Sequence, residues 1–297
     1  MKEPDLKGEA VLTETRAQGF HRHIAACTDA ILPGERLAFH VGPDRVGWLR
    51  RDLARALAGF PAIAVTCDRV TLTDGAALAA IAQSLAERGL FRWRREAFDV
   101  RASAEGPVLA LLDRGAIPAF GVQATGVHVN GLVQHPTGLH LWVARRARDK
   151  LLDPGKLDHV VAGGVPAGLS PAETLVKEAG EEAAIPPDLA AQAMLVGQVT
   201  YAMERPEGLR RDRLFCYDLM LPAGFIPRPA DGEVESFELW PLRQVWETVR
   251  DTDDVKFNVN LVLIDLFIRH GLIDGADAAT LRDAFRAGAA RAEGTGG

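Results

Sequence analysis

The chain has 297 residues and a formal net charge of −6. Hydrophobic residues make up 47% and charged residues 25%, which is a globular balance, and this length suits roughly two domains. The acidic balance disfavours nucleic acid as a partner, because a polyanion would meet a repulsive field over most of the surface.

Three cysteines, Cys27, Cys67 and Cys216, are far apart and form no C-x-x-C pair. This spacing predicts neither a disulfide framework nor a structural zinc site. The first residues contain no apolar secretory signal, and the longest apolar runs are too short to span a bilayer. We therefore expect a cytoplasmic protein with no membrane partner.

The first 118 residues predict a mixed α/β unit without a recognisable catalytic motif. Helical apolar spacing alternates there with short strand-like runs and turn residues. The predicted elements are a helix over 11–30, two strands in 36–49, a helix over 51–60, strands in 62–67 and 69–73, a helix over 74–91, and strands in 97–103 and 107–115.

From about residue 119 the pattern changes to glycine-punctuated strands around a single strong helix, which predicts a second unit. The predicted strands lie in 119–134, 138–147, 157–164, 193–203, 212–221 and 233–240, and the helix covers 171–184. Three further helices are predicted in the tail, over 241–250, 256–270 and about 276–291.

Three glutamates crowd one face of the helix over 171–184. Glu178, Glu181 and Glu182 stand at positions i, i+3 and i+4, so they project from the same side within about one turn. Like charges this close repel, and a hard divalent cation such as Mg²⁺ (or Mn²⁺) would stabilise them. The alternative is a solvated acidic helix face.

A glycine-rich loop precedes this helix and lets the backbone approach a ligand closely. With Gly163 as its first glycine, the stretch "GGVPAGLSPAETLVKEAGEEAAI" resembles the Nudix box, G-x₅-E-x₇-R-E-U-x-E-E-x-G-U. The three glutamates then fall on the clustered carboxylates of the box, and Ile185 falls on its last apolar position.

The stretch departs from the box at three positions. Leu169 stands in place of the first glutamate and Lys177 in place of the arginine, so both members of a bracing pair are replaced together. Ala184 stands in place of the last glycine, which predicts that the helix ends differently, with Pro186 and Pro187 stopping it.

The flanking segments extend the resemblance to one Nudix group, whose eukaryotic members are related to, or fused with, thiamine pyrophosphokinase. The segments are "LHLWVARRARDK", "YAMERPEGLRRDRLFCYDLMLP", "DGEVESFELWPL", "KFNVNLVLIDLFIRHG", "GFHRHIAAC", "RVGWL" and "AFGVQATGVHVNGLV". The resemblance implies an α/β (α+β) fold, with a Nudix α/β/α sandwich over 119–250. An N-terminal α/β domain over 1–118 and packed C-terminal helices over 251–297 complete the expectation.

The same resemblance implies metal-dependent hydrolysis of a diphosphate linkage. Glu178, Glu181 and Glu182 would hold the cation, with Glu178 and Glu182 as catalytic residues. The implied substrate is thiamine diphosphate or an oxidised form of it, cleaved to the monophosphate. Another nucleoside or sugar diphosphate remains open, as does a non-catalytic Nudix-fold ligand sensor.

Cations and carboxylates outside the box are further candidates. Arg145, Arg146 and Lys156 would hold the diphosphate, against the alternative of a solvated strand end. Glu233 and Glu235 are candidates for an extra ligand or the general base, against the alternative of edge-strand acidic residues.

Two expectations concern histidines and the N-terminal unit. His128 and His159 lie near the expected site in sequence, but they lack zinc-ligand spacing, so we expect core or surface roles. Residues 1–118 lead into the next unit without a flexible linker, which favours a wall of the substrate pocket. A stabilising appendage or a dimerisation surface is the alternative, and a homodimer remains open.

Overall fold

A computed structural model describes the backbone of residues 7–294 and the side chains of residues 17–294. In the first part of the chain, a four-stranded sheet has the order β2-β1-β4-β3, and a β5-β6 hairpin follows it. The elements are α1 (Lys7–Cys27), β1 (Leu37–Val41), β2 (Asp44–Leu49), α2 (Arg51–Leu57), β3 (Ile63–Val65), β4 (Arg69–Leu72), a 3₁₀ turn (Gly75–Ala77), α3 (Leu78–Glu87), β5 (Ala97–Val100) and β6 (Ala110–Asp113).

The second part forms a seven-stranded mixed sheet. Its main path is β11-β12-β7-β8-β13, with β10 paired to β7 and β9 paired to β8. The elements are α4 (Ile117–Phe120), β7 (Gln123–His135), β8 (Gly138–Arg146), β9 (Leu157–Asp158), β10 (Val161–Gly164), α5 (Pro171–Ala183), α6 (Pro187–Ala190), β11 (Met194–Arg205), β12 (Gly208–Met220), β13 (Val234–Pro241), α7 (Leu242–Asp251), α8 (Phe257–Arg269) and α9 (Gly275–Glu293).

Helices cover both faces of this sheet, because its strands are apolar on both sides. Along β8, Leu141 and Val143 join the core with α7 and α8, whereas Trp142 between them joins the core with α5. Such alternation follows from the two-residue period of a strand. The predicted mixed α/β sandwich is therefore confirmed.

The first helix packs with the last three rather than within a separate N-terminal layer. Phe20 on α1 contacts Trp246 and Phe267, with ring centroids 5.4 and 6.1 Å apart. Ile24 and Cys27 belong to the same buried core. The boundary predicted at residue 118 therefore does not divide this core, and α1 belongs to the helical layer on the far side of the sheet from α5.

The end of α5 differs from the prediction. Ala184 adopts the left-handed conformation (φ 52°, ψ 35°), and its backbone N–H donates to the carbonyl of Ala179. The helix thus ends as it would with the family's glycine, and the expectation of a different termination is wrong. An alanine in this conformation carries a steric cost that the surrounding packing must offset.

None of the helices in residues 7–294 combines the length and apolarity needed to cross a membrane. The three cysteines are free thiols, with Cys27 and Cys216 buried and Cys67 exposed.

Candidate active site

The acidic helix begins where the sequence predicts. Ser170 accepts a hydrogen bond from the backbone N–H of Glu173, and the Glu173 carboxylate accepts from the backbone N–H of Ser170 at 2.8 Å. This reciprocal capping box satisfies donors that the first turn would leave unpaired. It fixes the register of α5 relative to the preceding loop, and with it the direction in which the glutamates point.

Gly163 is the point where the helix meets the strand. A Cβ built on Gly163 would lie 2.7 Å from Cγ and 2.8 Å from Cδ of Glu178. Only a residue without a side chain allows this approach. Burial raises the pKa of Glu178, while hydrogen bonding and the charge of Lys177 oppose that rise. The first glycine of the box therefore places a half-buried carboxylate over the end of β10.

Glu182 is the most buried of the three carboxylates, with 8% of the residue exposed. Its Oε2 accepts a hydrogen bond from the backbone N–H of Ala162 at 2.9 Å, which fixes its orientation. Burial, assisted by the charges of Asp158 and Glu178 and opposed by that hydrogen bond, raises its pKa to about 8. A buried carboxylate beside other acids fits a hard cation, which would relieve both the burial cost and the repulsion.

Glu181 and Lys177 lie on the outer side of the helix. Lys177 Nζ is 2.5 Å from Glu181 Oε2 and 3.1 Å from Glu178 Oε1, and both Lys177 and Glu181 are about half exposed. Lys177 therefore pairs with neighbours on its own helix. This is expected, because Leu169 stands where the Nudix box has the glutamate that would pair with this position. The clustered glutamates divide into two that face inward and one that faces solvent.

A small recess, partly open to solvent, lies beside Glu182. Its lining combines carboxylates, one arginine, one histidine and two apolar residues. The lining residues are Arg146, Asp158, His159, Ala162, Glu182, Glu233 and Val234. Of the site residues predicted from sequence, the structure thus brings Arg146, Glu182 and Glu233 together around one recess.

The predicted cations occupy different places. Arg146 donates to Asp158 Oδ2 at 2.7 Å and to the carbonyls of Leu152 and Asp153, so its guanidinium is held rigidly at the recess. Arg145 donates to the carbonyl of Gly155 at 2.9 Å instead. Lys156 lies 3.6 Å from an Asp153 oxygen. Arg145 and Lys156 thus brace the loop between β8 and β9 and are not among the residues that line the recess.

The two late-strand glutamates also separate. Glu233 lines the recess and forms an ion pair with Lys150. Glu235 lies 3.8 Å from Arg148, outside the recess lining. Position therefore favours Glu233 over Glu235 as the additional ligand or base, and both roles stay predictions.

Sequence reasoning missed Asp158, which lines the recess, and Lys256, which pairs with it; this buried pair is called the floor of the site. Asp158 Oδ2 lies 3.0 Å from Lys256 Nζ as well as 2.7 Å from Arg146 Nη1. Burial works to raise the pKa of Asp158, but Lys256 and Arg146 hold it well below its ordinary value. Lys256 arrives from the start of α8, almost 100 positions along the chain, so no local pattern could have revealed the pair.

His128 and His159 complete this floor. Their Nδ1 atoms lie 2.9 Å apart, and with Asp158 they form a group whose potential ligand atoms are all within 4.8 Å of one another. Two observations favour a hydrogen-bonded network over a metal site here. The two Nδ1 atoms are already bonded to each other, and Asp158 is already neutralised by two cations.

The N-terminal unit contacts the glycine-rich loop directly. A Cβ on Gly164 would lie 2.7 Å from the ring of Phe98, so the ring packs on that glycine. The backbone N–H of Ala167 donates to the carbonyl of Ala97 at 2.8 Å. Glu96, the preceding residue, adds a negative charge that raises the pKa of Glu178.

Comparison with known proteins identifies the family to which the two parts of the chain are similar. Residues 19–124 match a domain of unknown function (DUF4743), and residues 125–260 match the NUDIX domain. "Nudix hydrolase 20, chloroplastic" of Arabidopsis thaliana is 43% identical over 198 residues, which cover 66% of this chain and 53% of that protein. "Nudix hydrolase 24, chloroplastic" of the same plant is 38% identical over 268 residues, which cover 86% of this chain and 73% of that protein.

The chain therefore belongs to the Nudix hydrolases, enzymes that act on pyrophosphate bonds. It spans about half the length of the first relative, at 53%, and 73% of the second. Among solved structures, the NUDIX domain of Shewanella oneidensis NrtR in complex with ADP ribose aligns with 52% of this chain and 92% of its own, with 16% identity and a TM-score of 0.39.

Replacing Gly163 with alanine tests the contact between strand and helix. The added methyl group would displace the Glu178 side chain, and we expect turnover of a diphosphate substrate to fall roughly 10-fold or more, because small displacements of catalytic groups are costly. Gly180→Ala is the matched control, since Gly180 lies on α5 and a Cβ there meets no atom within 4 Å. Equal activity of Gly163→Ala and Gly180→Ala would contradict the argument.

Proposed function

We propose that this protein is a divalent-cation-dependent pyrophosphohydrolase that cleaves the diphosphate linkage of a small molecule. The observation that carries the proposal is the placement of Glu178 and Glu182 on one face of α5, where Glu178 is partly buried and Glu182 is buried and lines the recess. Burying such groups is unfavourable without a cation, and the capping box and the Ala162 N–H hold them in place.

Glu178, Glu181 and Glu182 would hold the cation, Glu181 from the exposed side. When bound, Mg²⁺ or Mn²⁺ supplies charge neutralisation and a water of lowered pKa. Glu178 is the first candidate to take the proton from the attacking water. Glu233 is the second candidate, and Arg146 is positioned to bind a diphosphate oxygen.

The substrate we propose is thiamine diphosphate or an oxidised form of it, converted to the monophosphate. What supports this choice is the resemblance of the flanking segments to the thiamine pyrophosphokinase-related Nudix group. Another nucleoside or sugar diphosphate is the alternative for the same chemistry. A non-catalytic sensor is disfavoured because sensors usually lose the box carboxylates, whereas this chain keeps all three.

The first test is a phosphate-release screen over thiamine, oxothiamine and nucleotide diphosphates, with and without Mg²⁺. We expect hydrolysis that disappears on chelation and returns with Mg²⁺ or Mn²⁺. Glu182→Gln should lower kcat roughly 10²-fold or more, because it removes a charged group from the site while keeping its shape. Glu247→Gln, on the exposed face of α7, is the control and should retain activity. Activity that survives exhaustive chelation would rule the mechanism out.

We also propose that the N-terminal unit forms one wall of the pocket for the non-phosphate half of the substrate. The packing of Phe98 on Gly164, together with the bond between Ala97 and Ala167, supports this placement. Glu96 brings a carboxylate to the same side, 2.9 Å from the guanidinium of Arg114. A cationic head group would have to compete with Arg114 for this carboxylate.

Glu96→Gln tests the wall with two substrates that differ in head-group charge. Thiamine diphosphate carries a cationic ring and oxothiamine diphosphate a neutral one. We expect kcat/KM for thiamine diphosphate divided by kcat/KM for oxothiamine diphosphate to fall roughly 5-fold, because an ion–ion interaction near a surface contributes about 1 kcal/mol. Glu87→Gln, at an exposed position at the end of α3, should leave this ratio unchanged. An unchanged ratio in Glu96→Gln would remove this wall from the substrate pocket.

A further inference from the structure

Three buried polar side chains form a hydrogen-bonded line from α8 to the recess. Asn258 Nδ2 lies 3.4 Å from His128 Nε2, and His128 Nδ1 lies 2.9 Å from His159 Nδ1. All three residues are 3% exposed or less. His128 stands on β7 and is paired with Ala162 on the neighbouring strand β10. The N–H of Ala162 orients Glu182, so the line lies one strand away from the contact that holds this carboxylate of α5.

The direction of donation along this line follows from the chemistry of its ends. In the structure the amide nitrogen of Asn258, which can only donate, faces His128 Nε2, and in this amide orientation Nε2 accepts. A neutral imidazole has one ring proton, which in His128 is then on Nδ1 and is donated to His159 Nδ1. The single proton of His159 is therefore on Nε2.

Both rings are held in the neutral form. Burial lowers the pKa of His159 to about 4; the positive charge of Lys256 acts in the same direction, and Asp158 opposes both. Burial and the neighbouring His159 hold the pKa of His128 well below its ordinary value. Near neutral pH the line therefore consists of neutral groups with one fixed proton order.

His159 Nε2 is the end of the line, and it is buried without a hydrogen-bond partner. His159 lines the recess together with Arg146 and Glu182. Leaving a buried donor unpaired is costly, and a group in this condition needs an explanation. An acceptor oxygen in the recess would satisfy it.

We propose that His159 Nε2–H donates a hydrogen bond to an oxygen of the bound diphosphate, and that Asn258 and His128 are positioning residues that fix the tautomer. This inference rests on the proposed function, because it takes the recess to be the diphosphate site. The single charge of Asp158 offsets only one of its two cationic partners, Arg146 and Lys256, so the surroundings already attract an anion, and the neutral N–H adds a directed hydrogen bond.

The first measurement is the tautomer, read in the ligand-free protein by ¹⁵N NMR of histidine-labelled samples and assigned through correlations to the backbone. We expect His159 to carry its proton on Nε2 and His128 on Nδ1, with no change between about pH 6 and pH 8. In Asn258→Leu, which removes the donor to Nε2, the proton of His128 should no longer be confined to Nδ1. A His159 proton on Nδ1, or coordination of added Zn²⁺ by both rings, would overturn the proposal.

The second measurement uses Mg²⁺ with methylenediphosphonate, a diphosphate analogue that cannot be hydrolysed. We expect the His159 Nε2–H resonance to shift on binding and its exchange with water to slow. Binding of the analogue without any change at His159 would overturn this inference alone. If neither methylenediphosphonate nor any diphosphate substrate interacts with the metal-loaded protein, the proposed function itself has failed.

Kinetics of two substitutions separate donation from packing. His159→Gln can place an amide N–H near the position of Nε2, whereas His159→Asn is too short and reaches only the Nδ1 position. We expect kcat/KM to fall about 10-fold or more in His159→Asn and to recover largely in His159→Gln. His140→Asn is the control for replacing a buried histidine. His140 lies buried on β8, hydrogen-bonded to the carbonyl of Gly138, and this variant should retain activity.

Equal losses of kcat/KM in His159→Asn and His159→Gln, with equal losses of Tm, would show a purely structural role and overturn the proposal. If both variants fail to fold, the tautomer and the analogue-induced shift in the unsubstituted protein decide the question, because neither measurement needs a substitution to interpret.

Discussion

The site depends on one constraint, the burial of acidic side chains of α5 against the glycine end of β10. Glu178 lies over Gly163 because no side chain intervenes, and Glu182 is fixed by the N–H of Ala162. Burial raises the pKa of both carboxyls, to about 8 for Glu182. An anionic pair here is unfavourable in the free protein, and a bound cation would relieve that cost, so the fold holds two carboxylates where a cation would stabilise them.

The floor of the site comes from the far end of the chain. Backbone hydrogen bonds join Leu157 on β9 to Asp254 and Lys256, which seat the start of α8 against the sheet. This docking brings Lys256 to Asp158 and Asn258 to His128. A buried aspartate with two cationic partners keeps its charge, so the recess has a fixed electrostatic floor below the titratable glutamates. The C-terminal helices thus contribute to the site as well as to the core.

Much of the fold could be predicted from sequence, because most elements have strong local signals. The capping box at Ser170 and Glu173 fixed the start of α5, and strand periodicity located β7, β8 and β11. Long-range contacts carried no such signal. The pairing of Asp158 with Lys256 and of His128 with His159 depends on how separate segments pack, which spacing along the chain does not encode. By contrast, the two-residue period of a strand does predict that Arg145 and Arg146, neighbours on β8, point to opposite faces and so meet different partners.

The central claim is that the carboxylates of α5, rather than the histidine cluster, hold the metal ion. It is tested most directly by anomalous diffraction from crystals soaked with Mn²⁺. An anomalous peak about 2.2 Å from carboxylate oxygens of Glu178 and Glu182 is the expected result, since Mn²⁺ prefers oxygen ligands at such distances. A peak on the nitrogens of His128 and His159, or no peak at the glutamates at saturating Mn²⁺, would contradict it.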